Sequence, residues 1–377
     1  MTPLQERLLE RIRSGGPMPF AAYMSLALYD PQHGYYASSE RTGWSGDFVT
    51  SSVIDPAFGA LWARAFEQIW EACGRPATFE VIEVGPGEGR FAADVLDAVT
   101  GHFADALTYR LVERMGAARK RQEHLFREHR YDGDLVRWSA SITDLEPVDA
   151  GLVFANEVLD NLPVHLVQQH HGKLAEVCVG ADGHDLVEML LPLSNPELGA
   201  FFERHGAVIP EGHRAEVALA AESFCAHAAR AIGRGAIVIV DYGAMAGDLV
   251  GRPEGTLVCY SSSGADASPL ERPGEKDITA HANWSAVLHA LKHAGMDVSG
   301  PRPQSKVLIA LGLTGVDAEL KRDHDDAIAA GRGADAVKAF SRRHALRALS
   351  DRSGLGGFDV VAGFRGITAP DAFGRSV

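Results

Sequence analysis

Apolar residues along this chain recur in two periods. Phe79-Glu-Val-Ile-Glu-Val84 places Val81, Ile82 and Val84 in one short run, Gly85-Pro-Gly-Glu-Gly89 breaks it, and Phe91, Ala92, Val95 and Leu96 then recur at helical spacing. The pattern predicts a buried strand, a glycine turn and a helix. It repeats as a strand over Tyr109–Glu113, a helix over Arg119–Glu128, a short strand near Leu135–Trp138 and a fourth strand over Gly151–Glu157. Strands alternating with helices predict an α/β fold on a parallel, doubly wound sheet. Ala236-Ile-Val-Ile-Val-Asp241 is apolar almost throughout, as a strand covered on both faces would be. Further along, Asn283–His293 reads as a helix, Val316–Leu349 as Ala-rich helical packing and Phe358–Arg365 as a late strand.

Other stretches depart from this rhythm. Helical patterns over Gln5–Arg13, Phe20–Leu28 and Phe58–Ala72 flank a long, weakly patterned segment, Tyr29–Asp55, and a loop of that length tends to bind or cover a ligand. From Val164 to Leu191 three alternating segments separated by Gly172 and Gly183 predict an inserted antiparallel meander. Helices are expected near Pro196–Arg204 and Ala215–Ala231, while residues 244–280 are rich in Gly, Pro and Ser and aperiodic. That stretch reads as an active-site loop, with disorder as the competing reading. The expected division is an N-terminal helical lid over 1–75, the first part of a core over 76–163, inserted strands and helices over 164–233, and the rest of the core over 234–377.

Charge narrows the partners. With 36 basic and 50 acidic residues the net charge is −14, which argues against a nucleic-acid backbone as the main ligand. No 18-residue apolar run suggests a membrane span, and Met1–Glu10 lacks the apolar core of a signal peptide, so a cytoplasmic protein is expected. Cys73, Cys178, Cys225 and Cys259 form no C-x-x-C pair and read as buried reduced thiols. His170-His171 stands outside any metal-ligand spacing, and no metal is expected.

The candidate chemistry gathers at strand ends. Glu83, Gly85, Pro86, Gly87 and Gly89 spell Glu-x-Gly-x-Gly-x-Gly, and position 90 is Arg where a dinucleotide fingerprint has its third glycine. A pyrophosphate favours the free N–H groups of a helix N-terminus. An acidic Glu83 and Glu88 beside the turn suit the cation of S-adenosylmethionine better. Glu113 follows at about the 20-residue offset at which an acid binds ribose hydroxyls in such folds, the alternative being a solvated acid. Ser141 and Ile142, after the third strand, are candidate adenine contacts, and Asn156 ends the fourth strand on the cofactor side. Glu157 and Asp160 are three apart and would share one site if the chain turns helically there. Glu157 is then the candidate acceptor-orienting group; the alternative has Asn156 capping a helix and Asp160 exposed. Asp47, Phe48 and Thr50 could close over the cofactor or simply form a turn, and Tyr35, Tyr36 and Tyr242 could line an acceptor channel or pack.

Longer motifs add a resemblance. Phe20-Ala-Ala-Tyr-Met24, Gly46-Asp-Phe-Val-Thr-Ser51, Glu83-Val-Gly-Pro-Gly-Glu-Gly89, Asn156-Glu-Val-Leu-Asp-Asn-Leu-Pro-Val164, Asp241-Tyr-Gly243 and Pro273-Gly-Glu-Lys-Asp-Ile-Thr279 occur in the order seen in the MidA-like S-adenosylmethionine-dependent methyltransferases, which the chain resembles over nearly its whole length. The resemblance implies a class I, Rossmann-like methyltransferase core with its cofactor at the glycine loop. For the mitochondrial complex I assembly member it implies methylation of a protein arginine. The chain departs from the pattern at Ser52-Val53, where Pro-Glu is usual, and at Glu88, where a basic residue is usual. Three activities stay open: transfer to a protein side chain, transfer to a small oxygen or nitrogen acceptor, and partner binding without turnover. A homodimer stays open as well.

Overall fold

The computed structural model describes residues 1–37, 54–129, 131 and 133–374. Asp47, Phe48 and Thr50 lie outside the described residues. The chain forms two compact units, each gathered from three stretches: one from 1–48, 157–226 and 243–294, the other from 49–156, 227–242 and 295–377.

The second unit is built on a seven-stranded sheet of β1 (Phe79–Val84), β2 (Leu107–Val112), β3 (Val136–Ser139), β4 (Val148–Asn156), β5 (Ile232–Asp241), β6 (Asp297–Pro303) and β7 (Asp359–Arg365). Their order is β6-β7-β5-β4-β1-β2-β3. β5, β4, β1, β2 and β3 run parallel, and β7 is antiparallel to both of its neighbours. Strand order reverses between β1 and β4, and open α/β sheets bind ligands at the carboxyl ends of the strands at such a point. The expected doubly wound sheet is therefore present, and β6 is an additional strand.

Aromatic packing fixes the helices against this sheet. Phe91, at the start of the helix Arg90–Ala98, stacks on Phe154 of β4 with ring centroids 4.7 Å apart, and Trp62 and Phe66 of the helix Ala57–Ala72 meet Phe154 at 5.0 and 5.4 Å. The two helices approach closely because Gly59 has no side chain: a Cβ there would lie 2.5 Å from the Cβ of Asp94. Such rings contribute more than their area alone through tilted and offset contacts.

The first unit opens with a helix over Pro3–Gly15, whose Thr2 cap accepts from the Gln5 N–H at 3.1 Å and whose Leu4, Leu8, Leu9 and Ile12 form one buried stripe. The helix Phe20–Tyr29 follows. Both pack with Val177, Val179, Cys259 and Ile278 in a single apolar cluster. The predicted meander is present as His165–His170, Lys173–Asp182 and Asp185–Leu191, and Met18–Pro19 and Arg214–Val217 extend its sheet. Arg214–Val217 replaces the start of the expected helix, which begins at Leu219. The aperiodic stretch 244–280 is not a plain loop: it holds a helix at Ala246–Val250 and a three-stranded sheet of Val258–Ser261, Gly264–Asp266 and Asp277–Thr279. All four cysteines are free and buried.

Candidate active site

β1 ends in a turn that only glycines form without strain. Gly85, Gly87 and Gly89 have φ of 67°, 54° and 81°, the left-handed region that costs an L side chain about 1–2 kcal/mol. The three differ in their surroundings. A Cβ on Gly89 would press within 3.2 Å of Gln122 and Phe126, so that glycine also serves packing, whereas a Cβ on Gly87 would meet nothing within 4 Å. The open side of Gly87, at the carboxyl end of β1, is room for a ligand to approach the backbone.

Gln122, fully buried, ties this loop to its neighbours. Its Nε2 donates to the Gly87 carbonyl at 2.7 Å and to Glu113 Oε2 at 3.2 Å, and its Oε1 accepts from the Trp138 indole at 3.0 Å. Glu113 directly follows β2, and its other oxygen accepts the Met115 N–H at 2.7 Å. Burial raises the Glu113 pKa, against the Met115 and Gln122 hydrogen bonds that lower it. The glycine loop and the expected ribose acid are thus one hydrogen-bonded assembly. Gln122 was not singled out from sequence, because nothing in its spacing on the helix Gly116–Glu128 distinguishes it from a solvated position.

Other sequence candidates fall in different settings. Glu83 lies inside the sheet, accepting from the Tyr109 hydroxyl at 2.8 Å, and burial pushes its carboxyl up to about 8. Burial thus favours its neutral form. Glu88 was expected to accommodate a cation, but its carboxylate is matched by Arg121 at 3.0 Å. Ser141 caps a short turn, accepting the Thr143 N–H at 3.2 Å, with Ile142 half-buried beside it. Asn156 ends β4 opposite Val240 of β5. Asp241 ends β5 fully buried and accepts the Tyr242 N–H at 2.8 Å, while Tyr242 packs on Phe358 at 5.6 Å.

In the first unit, Glu157 is half-buried and takes φ of 54°, one of the few non-glycine residues with a left-handed backbone. A 3-10 turn over Leu159–Asn161 follows. Asp160 is 5 % exposed, which removes the exposed alternative. Around this turn Asn161 Nδ2 donates to Asp277 at 2.8 Å, and Tyr36 approaches Asn161 Oδ1 at 2.9 Å. Elsewhere in the unit, His205 and Glu222 lie 2.9 Å apart with His289 near, but Arg204 already balances Glu222 at 3.0 Å, as an ion-pair network. Among the described residues, no helix is long and apolar enough to cross a membrane.

The glycine loop therefore fits S-adenosylmethionine: a left-handed turn with open approach, an acid held to it through Gln122, and Arg90 where a pyrophosphate-binding fingerprint has a glycine. Comparisons agree. A family model described as "Putative S-adenosyl-L-methionine-dependent methyltransferase" matches residues 61–302. The chain is 29% identical over 333 residues to "Protein arginine methyltransferase NDUFAF7 homolog, mitochondrial" of Drosophila melanogaster, covering 81% of this chain and 74% of that one. "Protein arginine methyltransferase NDUFAF7, mitochondrial" of Bos taurus is 28% identical over 351 residues, covering 85% of this chain and 75% of that one. A crystal structure from Burkholderia thailandensis, described as a "likely methyl transferase" bound to S-adenosyl-homocysteine, superposes with a TM-score of 0.87 at 32% identity, covering 99% of this chain and 95% of that one. Since the family model spans most of its length, this chain belongs to the MidA-like family of S-adenosyl-L-methionine-dependent methyltransferases.

Proposed function

We propose that the methyl acceptor is a protein side chain, an arginine guanidinium, and that Glu157 and Asp160 orient it. The observation that carries this reading is the left-handed Glu157 immediately after β4, followed by the buried Asp160. Backbone strain at a non-glycine residue persists only where surrounding contacts over-determine it, and such residues cluster at functional sites. The names of the Drosophila and Bos taurus relatives add support.

When bound, S-adenosylmethionine supplies an electrophilic methyl group on a sulfonium. Gly87 leaves its approach to the backbone open, and Glu113 offers a carboxylate for ribose hydroxyls. A guanidinium stays cationic, with a pKa above about 12, and is a poor nucleophile. Carboxylates at Glu157 and Asp160 would hold it in a fixed fork and draw its positive charge away from the attacking nitrogen. Positioning of this kind accounts for roughly 7–11 kcal/mol of a barrier. The reading includes a cytoplasmic site of action, testable by fractionation.

The test measures two quantities on Glu157→Gln. Calorimetry with S-adenosylhomocysteine should give a dissociation constant near that of the wild type, while labelled methyl transfer to proteins of a cell extract should fall about a hundredfold, some 3 kcal/mol. Equal losses in both would move Glu157 to the cofactor. Label arriving on small molecules instead of protein would replace the acceptor class.

A further inference from the structure

Two distant segments grip the turn that carries Glu157 and Asp160. Asn161 Nδ2 donates to Asp277 Oδ1 at 2.8 Å and to the Ile278 carbonyl at 3.2 Å. The Ala280 N–H donates to the Asp160 carbonyl at 2.8 Å. From the N-terminal side, the Tyr29 hydroxyl donates to the Asn161 carbonyl at 3.0 Å. The single proton of the Tyr36 hydroxyl is shared between Asn161 Oδ1 at 2.9 Å and the Asp277 carboxylate at 3.1 Å. Tyr29 and Tyr36 stack with centroids 5.6 Å apart. Their segment is itself fixed, because Asp30 Oδ1 accepts the Gln32 and His33 N–H groups at 3.0 and 2.9 Å and bends the chain before Tyr35.

Asp277 sits at the centre of this arrangement. It is 8 % exposed and heads the strand Asp277–Thr279, whose register with Val258–Ser261 fixes its backbone. It fixes the rotamer of Asn161, and Asn161 fixes the turn. A left-handed Glu157 relaxes to an ordinary backbone unless something of this kind prevents it.

We infer that Asp277, acting through Asn161 and Tyr36, is a positioning residue for methyl transfer that holds the Glu157–Asp160 turn in its working geometry. This rests on the reading that Glu157 and Asp160 orient the acceptor. A shift of about 1 Å in such groups costs on the order of a hundredfold in rate.

The experiment uses the full chain, labelled S-adenosylmethionine and a soluble cell extract as acceptor. Asp277→Asn keeps the shape but leaves one acceptor oxygen where the carboxylate offers two, so Asn161 Nδ2 and the Tyr36 hydroxyl no longer both donate to it. It should cut transfer about 10- to 100-fold while the dissociation constant for S-adenosylhomocysteine stays within about twofold. The discriminating measurement is the double variant with Glu157→Gln: residues acting through one another lose activity non-additively, so the pair should be no worse than Glu157→Gln alone. Multiplying losses would show that Asp277 acts by a separate route and overturn the inference. So would full activity in Asp277→Asn. Should that variant fail to fold, Tyr36→Phe, which removes one hydroxyl from the same cluster, takes its place with the same double-variant criterion. If Glu157→Gln itself transfers label normally, or the wild type transfers none, the underlying reading fails first and the inference with it.

Discussion

At the residue scale, Glu83 shows how one sequence position can carry a different role from the one its spacing suggests. Its place before the glycines reads as a ligand contact, yet its carboxyl lies inside the sheet against Tyr109 with a pKa raised to about 8 by burial. The raised value gives a sign to the pH dependence of stability. Between its ordinary value near 4.5 and about 8, the folded state holds a proton that the unfolded state has lost, so this residue's contribution falls as pH rises through that window and levels off above it. Glu83→Gln keeps the shape and removes the ionisation. The melting temperature of the variant relative to wild type should therefore climb from pH 5 to pH 8; a flat difference across that range would mean that Glu83 is ionised in the fold.

At the scale of elements, the glycine turn makes a separable prediction. Gly87→Ala adds a Cβ that meets no protein atom within 4 Å, so the fold should lose only the backbone penalty of about 1–2 kcal/mol. Its side chain would fill the space left for the ligand. Binding of S-adenosylhomocysteine should drop more than about tenfold in calorimetry while the melting temperature shifts by a few degrees. Retained affinity would place the ligand on another side of the loop. Elements with a strong period and a clear stop were readable in advance: Gly85 follows β1 and Glu113 follows β2, β4 and β5 end on Asn156 and Asp241, and the meander is punctuated by Gly172 and Gly183. β6 was not, because Gly300-Pro-Arg-Pro303 interrupts any alternation and the pairing shifts register between Ser299 and Arg302. The strands within 244–280 are three or four residues long, too short to show a period. In the site, Glu113 and Glu157 stand at strand ends that a pattern can find. Asp277 and Gln122 act through hydrogen bonds to residues far away in sequence, and spacing carries no trace of such contacts.

At the scale of the whole molecule, each unit draws on three stretches of chain, so neither is a single contiguous segment. The N-terminal helices illustrate the consequence within the first unit. Leu8, Phe20, Tyr23 and Met24 share an apolar cluster with Val177 and Val179, and Met18 pairs with Val179. Removing residues 1–37 should uncover that face of the sheet, seen as loss of soluble protein and strong binding of a hydrophobic dye. A soluble truncation that binds no dye would show that the helices are dispensable. The sheet of the second unit has a related dependence in time. β5 is its most apolar strand, and one of its edges pairs with β7 through the register from Gly235–Arg365 to Asp241–Asp359. β7 lies far beyond β5 in the sequence, after β6 and several helices. During synthesis β5 leaves the ribosome with that edge uncovered and keeps it so until β7 has followed. Expression hosts that translate faster, or lack holding chaperones, should meet this protein at its most adhesive.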